Sequence, residues 1–386
     1  ATGEWLPAAG NLVVRCDSST ALNPGDRAVV RGKIYPFTAR HGGYGRLMTR
    51  RGYVGTLYLN RSSLLLRDTL HRELSPKHLS LFLHERAVAR LDRLALAPDE
   101  QALCNAMTAG DRRSLSPALR AAYSRSGTSH LLAVSGLHVG IVFLLANLLL
   151  WWLPLFRHGH ILRNIAVILL IWLYAATTGF PPSVVRAALM FSVLQFALAS
   201  SSEYVGMNTL AGVAFVMLLF HPDYLFDISF QLSFIAVAGI IAWGLPLCRL
   251  LRTRRKSIDM LTATLAIGFS ASAATAPLIS HTFGQISVVG LALNPVVILL
   301  SYVVVGSCTL WLVIPGTALA PLFSVVAGFA ARAQNELIRA AAALPAAALD
   351  IRLTTTQCWS VYGLFIFATL LLWSAERKKS VSSLPE

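Results

Sequence analysis

The residues best placed to do chemistry in this sequence are polar side chains that interrupt long apolar stretches. The first group contains Ser135 and His138, which are three residues apart and so share one face of a predicted helix. His130 lies about 12 Å from His138 along the same predicted helix, at a rise of about 1.5 Å per residue. Gly136 and Gly140 are spaced so that a neighbouring helix can approach closely. The pattern fits either a glycine packing seam with buried histidines or a functional polar face.

A second polar group contains Gly179, Ser183 and Arg186. The run Gly-Phe-Pro-Pro that starts at Gly179 predicts a tight turn, with Ser183 able to cap the helix that follows. Arg186 then falls in the first turn of that helix, at the positive end of the helix dipole, where a cation is disfavoured. It therefore requires a nearby anion, and both Asp227 and the phosphate of a ligand are candidates.

Two further polar groups lie downstream. Asp227 and Gln231 share one face of a predicted helix, while Gly284 and Gln285 precede Asn294 and the proline after it. Each polar side chain is costly inside a membrane unless it is partnered or hydrated. The predicted topology brings all four groups to the same side of the membrane, so we expect them to converge on one outward-facing vestibule.

Composition indicates a membrane protein. Of the 386 residues, 55% are hydrophobic and only 13% are charged, with a mean hydropathy of +0.61. A soluble domain carries about twice that charged fraction. The five scattered cysteines indicate neither a disulfide framework nor a metal site, and no cofactor is predicted. Because the chain starts at Ala1 rather than Met, we expect a fragment or a processed product.

Apolar stretches near 20 residues long predict about nine membrane-spanning helices. The predicted spans cover residues 130–153, 161–179, 183–200, 206–221, 228–247, 258–281, 286–315, 318–344 and 357–375. The span at 286–315 is long and contains Asn294-Pro295, so we expect it to be broken or kinked. The span at 318–344 carries Arg332, Glu336 and Arg339, which must face water or protein rather than lipid.

Basic loops orient the spans. The loop at 249–256 and the segment Arg377–Lys379 are predicted to be cytoplasmic by the positive-inside rule. Counting crossings back from the 249–256 loop places residues 1–129 outside. Counting forward places the C-terminus inside only if 318–344 also crosses. The segment 1–128 carries a net charge of +9, which orientation does not explain.

The polar N-terminal third divides into two regions. Residues 1–68 contain short β-like runs separated by turn residues and predict part of a small β-barrel. Residues 69–129 have helical periodicity with basic side chains, and Pro98 and Ser116-Pro117 mark the starts of short helices. We interpret 69–129 as an amphipathic helical connector that precedes a transmembrane domain at 130–386.

The run His130-Leu-Leu-Ala-Val-Ser-Gly-Leu-His-Val-Gly140 closely resembles the signature of the ComEC/Rec2 competence family of bacterial inner-membrane DNA-uptake channels. Three more segments match in the order found in that family, and two upstream runs resemble the later part of its OB-like domain. In order, these segments are Thr178–Ala187, Leu225–Phe234 and Phe283–Ser287, with Asn23–Gly32 and Gly52–Gly55 upstream. The resemblance extends over nearly the whole chain.

The resemblance implies a multi-pass protein of the bacterial cytoplasmic membrane that passes one DNA strand inward during natural transformation. Its implied partners are single-stranded DNA, membrane lipids, and the DNA-receptor and motor proteins of the uptake machinery, while a homo-oligomer is left open. Residues 1–68 would be a partial extracytoplasmic OB-like domain. The channel-motif positions carried over are His130, Ser135, Gly136, His138, Gly140, Gly179, Ser183, Arg186, Asp227, Gln231, Gly284, Gln285 and Asn294.

Many members of that family continue into a metallo-β-lactamase-like domain, a proposed nuclease. This chain has no His-x-His-x-Asp-His run, so we assign neither a metal site nor an enzymatic activity to it.

Basic and aromatic residues alternate in the N-terminal region, as a single-strand binding surface with stacking faces requires. Binding there should weaken as salt rises, because counterion release drives it. An ordinary solvated barrel face is the alternative. The residues concerned are Arg40, Tyr44, Arg46, Arg50, Arg51, Tyr53, Tyr58 and Arg61.

Two other functional classes fit parts of the pattern. In a small-solute or ion transporter, His138, Arg186 and Asp227 would form an intramembrane relay. In a membrane enzyme, His130 or His138 would activate Ser135, but the motif lacks the carboxylate that orients such a base. The basic N-terminal region favours the DNA channel over the transporter, since ions do not need it.

Overall fold

The computed structural model describes residues 10–17, 22, 26–37, 45, 48–49, 52–68, 76–199, 206–287, 289–314, 320–344 and 347–382. The chain separates into two compact units, Ala1–Phe82 and Leu83–Glu386.

Short β-strands dominate the described part of the N-terminal unit. They are β1 Asn11–Cys16, β2 Arg27–Val30, β3 Ile34–Pro36, β4 Tyr53–Leu59 and β5 Leu64–Asp68. Strand β4 pairs in parallel with β1 and antiparallel with β3, while β2 and β5 form a separate antiparallel pair. A Cβ at Gly55 would lie 2.5 Å from the Tyr35 carbonyl oxygen, so the close approach of β3 to β4 needs glycine there. The predicted β region is confirmed, and its OB-like topology stays a prediction.

Helices make up most of the remaining described chain. They are α1 Pro76–Leu91, α2 Pro98–Thr108, α3 Pro117–Arg125, α4 Gly136–Leu149, α5 Gly159–Thr177, α6 Pro182–Ala199, α7 Gly206–Phe220, α8 Ile228–Gly239, α9 Leu245–Leu250, α10 Lys256–Phe283, α11 Val289–Val313, α12 Ala320–Ala342 and α13 Thr355–Ser382. A single π-helical turn, Ile240–Gly244, joins α8 to α9. The helix starts predicted at Pro98 and Ser116-Pro117 are confirmed, with Ser116 Oγ accepting a hydrogen bond from Leu119 N–H at 3.2 Å.

Five helices of the described chain are long and apolar enough to cross a membrane. They are Gly136–Leu155, Gly159–Thr177, Ile228–Leu250, Ile258–Phe283 and Leu293–Val313. Pro182–Ala197 and Gly206–Phe220 are apolar but shorter. The membrane character is therefore confirmed, whereas the nine predicted crossings are not confirmed beyond these five.

The predicted span at 286–315 divides into a two-residue strand and one long helix. Strand β6, Ile286–Ser287, precedes α11, which continues through Pro295 without a break. Strand β7, Ala348–Leu349, follows α12 and pairs antiparallel with β6. Because this pair joins the start of α11 to the end of α12, the two helices run antiparallel along each other.

The connector helices share one hydrophobic core with α11 and α12. Fully buried Leu103 and Met107 from α2 and Tyr123 from α3 pack with Val304 of α11 and Ile338 of α12. The connector is thus an integral layer of the helical unit and not a separate surface helix pair.

Polar residues of α12 are paired with the connector. Arg332 Nε lies 2.7 Å from Glu100 Oε1, and Arg339 forms an ion pair with Asp99. Of the three charges predicted at 318–344 to face water or protein, Arg332 and Arg339 are therefore exposed and paired with acids of the connector, and Glu336 is exposed.

A buried polar network holds α3 to α12. The Tyr123 hydroxyl donates to Asn335 Oδ1 at 3.1 Å and accepts from Gln334 Nε2 at 3.3 Å. All three side chains are almost fully buried. Burial raises the pKa of Tyr123 well above its ordinary value, so the hydroxyl stays neutral and able to donate.

Removing this hydroxyl should destabilise the helical unit. We expect Tyr123→Phe to lower the free energy of unfolding by about 1–3 kcal/mol, because two buried amides lose a partner while the ring volume is kept. Thermal unfolding in detergent measures the change. Tyr35→Phe, at a half-exposed ring of the N-terminal unit, is the matched control and should leave the midpoint unchanged. Equal midpoints for wild type and Tyr123→Phe would contradict the network.

Candidate functional site

The four polar groups predicted from the sequence are numbered here as motifs in chain order. The first motif, which contains Ser135 and His138, enters its helix through a break in the chain. Residues Ser129–Leu132 form a 3₁₀ turn, Ala133–Ser135 are extended or cap the helix, and α4 begins at Gly136. The prediction of one helix from His130 onward is therefore wrong. Ser135 is the N-cap, with φ −120° and ψ 173°, and this extended backbone separates His130 from α4. His130 is exposed on the 3₁₀ turn.

His138 supports that break from within the helix. Its ring is completely buried, and the Ser135 backbone N–H donates to His138 Nδ1 at 2.9 Å. Because Nδ1 is the acceptor, the ring proton belongs on Nε2, and this buried atom has no hydrogen-bond partner among the described residues. His138 is thus a positioning residue for the turn at Ser135.

The second motif is tied to the first by a side chain. The predicted tight turn is confirmed, since Gly179 and Phe180 both have positive φ, of 83° and 53°. Helix α6 then begins at Pro182, and the Ser183 hydroxyl donates to the Val134 carbonyl at 2.9 Å. Ser183 is therefore not the predicted helix cap. It satisfies a backbone carbonyl of the extended segment before α4.

Helix α6 packs on the glycine face of α4. A Cβ at Gly136 would lie 3.0 Å from Arg186 Nη2, and one at Gly140 would lie 3.4 Å from the Phe191 ring. Both glycines contact the same helix, which confirms their predicted role in close packing. Arg186 is only 6% exposed, so its guanidinium is buried against the first turn of α4.

Arg186 is next to the third motif but not to its acid. The guanidinium carbon lies 5.7 Å from the centre of the Phe234 ring. The described residues place no carboxylate in ion-pair contact with Arg186, and Arg186 Nε is buried without a hydrogen-bond partner. The predicted Arg186–Asp227 pair is therefore wrong.

Asp227 and Gln231 organise the start of α8. Asp227 Oδ1 accepts from the backbone N–H groups of Ser229 at 2.8 Å and Phe230 at 3.3 Å. Gln231 Nε2 donates to the Leu225 carbonyl at 2.8 Å. Both side chains thus hold the loop before α8.

The fourth motif contacts the segment just before the first. Gly127 has φ +75°, and a Cβ there would lie 2.3 Å from Ser287 Cβ, so the contact excludes a side chain. The Ser287 hydroxyl in turn donates to the Ala347 carbonyl at 3.1 Å. Gly284, with φ 72°, ends α10, and Asn294 Oδ1 is buried without a described partner.

Gln285 lies at a polar hollow beside this contact. The hollow has a volume of about 420 Å³ and is lined by Thr282, Phe283, Gly284, Gln285, Asp350 and Arg352. It opens at the end of α10, on the same side as the β6–β7 pair.

The second and fourth motifs therefore contact residues 127–138, and the third motif contacts Arg186 of the second. The motifs were predicted from the sequence to lie at one end of the helices. The residues that join them, Gly127, Val134 and Phe234, were not predicted as site residues. Val134 offers only a carbonyl and Phe234 only a ring face, so neither carries a recognisable signal. Gly127 follows a helix end and was detectable as a position for positive φ.

Most of the proposed DNA-binding residues of the N-terminal unit lie outside the described residues. Arg40, Tyr44, Arg46, Arg50 and Arg51 lie outside the described residues, as does the side chain of Arg61. Tyr53 is half-buried, whereas Tyr58 is exposed with the Arg15 guanidinium 5.9 Å from its ring centre. The described residues contain no group of three His, Cys, Asp or Glu side chains that could hold a metal ion.

A bundle of apolar helices with polar motifs gathered at one end defines a polytopic helical membrane protein. Residues 107–378, well over half of the chain, match the family model described as competence protein. The chain belongs to this competence protein family, as its motifs predicted.

Two relatives match about half of the chain. ComE operon protein 3 of Bacillus subtilis (strain 168) is 33% identical over 204 residues, which are 52% of this chain and 24% of that protein. An uncharacterized protein of Aquifex aeolicus (strain VF5) is 29% identical over 201 residues, 52% of this chain and 45% of that protein. The aligned region therefore covers less than half of each relative. No solved structure matches the chain.

Substitutions at Asp227 distinguish a helix cap from a charge. Asp227→Ala should lower the free energy of unfolding by about 1 kcal/mol, because α8 loses the acceptor for two backbone N–H groups. Asp227→Asn should cost much less, since asparagine caps helices equally well. Thermal unfolding in detergent compares the two. If asparagine destabilises as much as alanine, the carboxylate charge matters and the capping role is insufficient.

Proposed function

We propose that this chain is a subunit of a channel that passes single-stranded DNA across the bacterial cytoplasmic membrane during natural transformation. Membership of the competence protein family supports a role in DNA uptake. The similarity to ComE operon protein 3 of Bacillus subtilis agrees with that family.

The observation that carries the proposal is the meeting of all four motifs at one end of the helical bundle. Contacts join Ser183 to Val134, Arg186 to Phe234 and Gly127 to Ser287. Such a gathering of polar groups and chain breaks inside a membrane protein is tolerated where it is buried in protein or lines a watery cavity. A polar entrance for a charged polymer is one such place.

Charge supports the direction of passage. The basic loop 249–256 begins at the end of α9, about 34 Å from the start of α8 at a rise of about 1.5 Å per residue. The motifs and this loop thus lie at opposite ends of the bundle. With the loop in the cytoplasm, the motifs and residues 1–129 are extracytoplasmic, where incoming DNA arrives.

The contacts favour this proposal over the transporter. A relay would require His138, Arg186 and Asp227 to be joined by hydrogen bonds or ion pairs. Instead, His138 Nδ1 is used at Ser135 and Asp227 Oδ1 at Ser229 and Phe230. The enzyme alternative gains no support either, because the described residues give His138 no orienting carboxylate.

Uptake of labelled DNA tests the motif residues. In a transformable bacterium that expresses the chain at normal levels, His138→Ala and Arg186→Ala should each reduce uptake by about tenfold or more. His138→Ala removes a buried hydrogen bond to the turn at Ser135, and Arg186→Ala removes a buried cation that an incoming anion would bind, each worth about 1–3 kcal/mol. His158→Ala and Arg249→Ala, at exposed positions, are matched controls and should retain uptake. Normal uptake in a full deletion would contradict the DNA function.

A natural cysteine tests the orientation. Cys16 is exposed in the N-terminal unit, whereas Cys104, Cys308 and Cys358 are buried. A membrane-impermeant maleimide should label Cys16 on intact cells or spheroplasts, and Cys16→Ser should remove that label. Cys248 is only partly buried and is replaced as well, so in the Cys16→Ser/Cys248→Ser background Thr253→Cys should react only after permeabilisation. Labelling of Thr253→Cys in intact spheroplasts would reverse the proposed orientation.

A further inference from the structure

We propose that Arg186 and the first turn of α4 form a binding site for a phosphodiester oxyanion of the transported strand. The inference rests on the proposed function and deepens it, since it names the group that is recognised and the atoms that recognise it.

Arg186 carries a charge that no described group compensates. Only 6% of the Arg186 surface is exposed. No described carboxylate pairs with it, and its Nε lacks a hydrogen-bond partner. Burying a cation without a counter-ion is costly, so proteins pair such groups or neutralise them. Arginine does not release its proton, so neutralisation requires an anion from elsewhere.

The guanidinium of Arg186 lies beside the start of a helix. Arg186 Nη2 lies against Gly136, the first residue of the 14-residue helix α4, 3.0 Å from the place where a Cβ would be. The first backbone N–H groups of a helix have no intrahelical acceptors and carry partial positive charge. The cation and the helix start therefore repel each other, and one oxyanion between them would satisfy both.

The Arg186 guanidinium and the backbone N–H groups at the start of α4 are held in place before any ligand binds. His138 and Ser183 hold Ser135 and Val134, which set the direction of the first turn of α4. Phe234 lies against the guanidinium and restricts its movement. Ser135, Gly136 and Leu137 are only partly buried, so an anion can reach their backbone.

Within the proposed function, the oxyanion that reaches this site is a phosphodiester. A guanidinium fork matches two phosphate oxygens, and a helix start binds phosphate through backbone N–H groups. Such contacts read the backbone and not the base, as transport of any sequence requires.

The stability of the ligand-free chain provides the first test. Arg186→Met removes the unpaired charge while keeping an unbranched side chain, so its unfolding midpoint in detergent should be above that of wild type. Arg332→Gln is the matched control, because it breaks the ion pair with Glu100 and should lower the midpoint. A midpoint of Arg186→Met well below wild type would show a structural arginine and overturn the proposal.

Ligand-induced stabilisation provides the second test. A short single-stranded oligonucleotide should raise the unfolding midpoint of wild-type protein in zwitterionic nanodiscs, as any ligand of the folded state does. An oligonucleotide of the same bases with an uncharged methylphosphonate backbone should not. The increase should be lost in Arg186→Met, reduced in Arg186→Lys, and kept in Arg332→Gln. The loss corresponds to an affinity at least about tenfold weaker.

The possible results separate the two levels of the proposal. An oligonucleotide effect that persists in Arg186→Met overturns this site but leaves the DNA function standing. Absence of any oligonucleotide effect on wild type argues against the DNA function as well. Stabilisation of wild type by anionic lipid alone, again lost in Arg186→Met, would assign the site to a lipid headgroup and overturn the DNA assignment.

Discussion

The structure around the motifs depends on one constraint, which is that backbone polar groups at the break before α4 need partners where water is scarce. The Val134 carbonyl receives the Ser183 hydroxyl, and the Ser135 N–H is accepted by His138. The first of these partners fixes where α6 starts relative to α4, and that placement brings Arg186 onto Gly136. The histidine and serine of the motifs are thus explained by the needs of the backbone before any ligand is considered.

A second consequence concerns the connector, which separates the motifs from the N-terminal unit in sequence. Its helices α2 and α3 bury their apolar faces against α11 and α12, and Asp99 and Glu100 neutralise the arginines of α12. Helix α12 can therefore carry several charges and still lie along an apolar helix. The Gly127–Ser287 contact then attaches the end of the connector to the fourth motif, so the connector helps to fix the position of that motif as well as the core.

The sequence predicted features that depend on local chemistry, and it failed where the partner was distant. The helix start at Pro98, the cap at Ser116, the turn at Gly179 and the glycine face of α4 follow from neighbouring residues and were predicted. The Arg186–Asp227 pair and the Ser183 cap were wrong, because opposite charge and residue type do not indicate which loop lies nearby. Ser183 and Asp227 each had a backbone partner that no side-chain pattern reveals.

Arg186 is the fixed cation among the motif residues, and it has no counter-ion among the described residues. Structural arginines of this chain, such as Arg332 and Arg339, have acids opposite them, and an arginine kept for stability alone would be expected to have one too. Placing Arg186 at a helix start adds a second unfavourable interaction. A protein that retains such an arrangement gives up stability at that position, and function is the usual reason for doing so. In the proposed channel, a passing phosphate would relieve the repulsion only while it is bound, so the site would attract each charge on the strand without holding it permanently, as conduction requires.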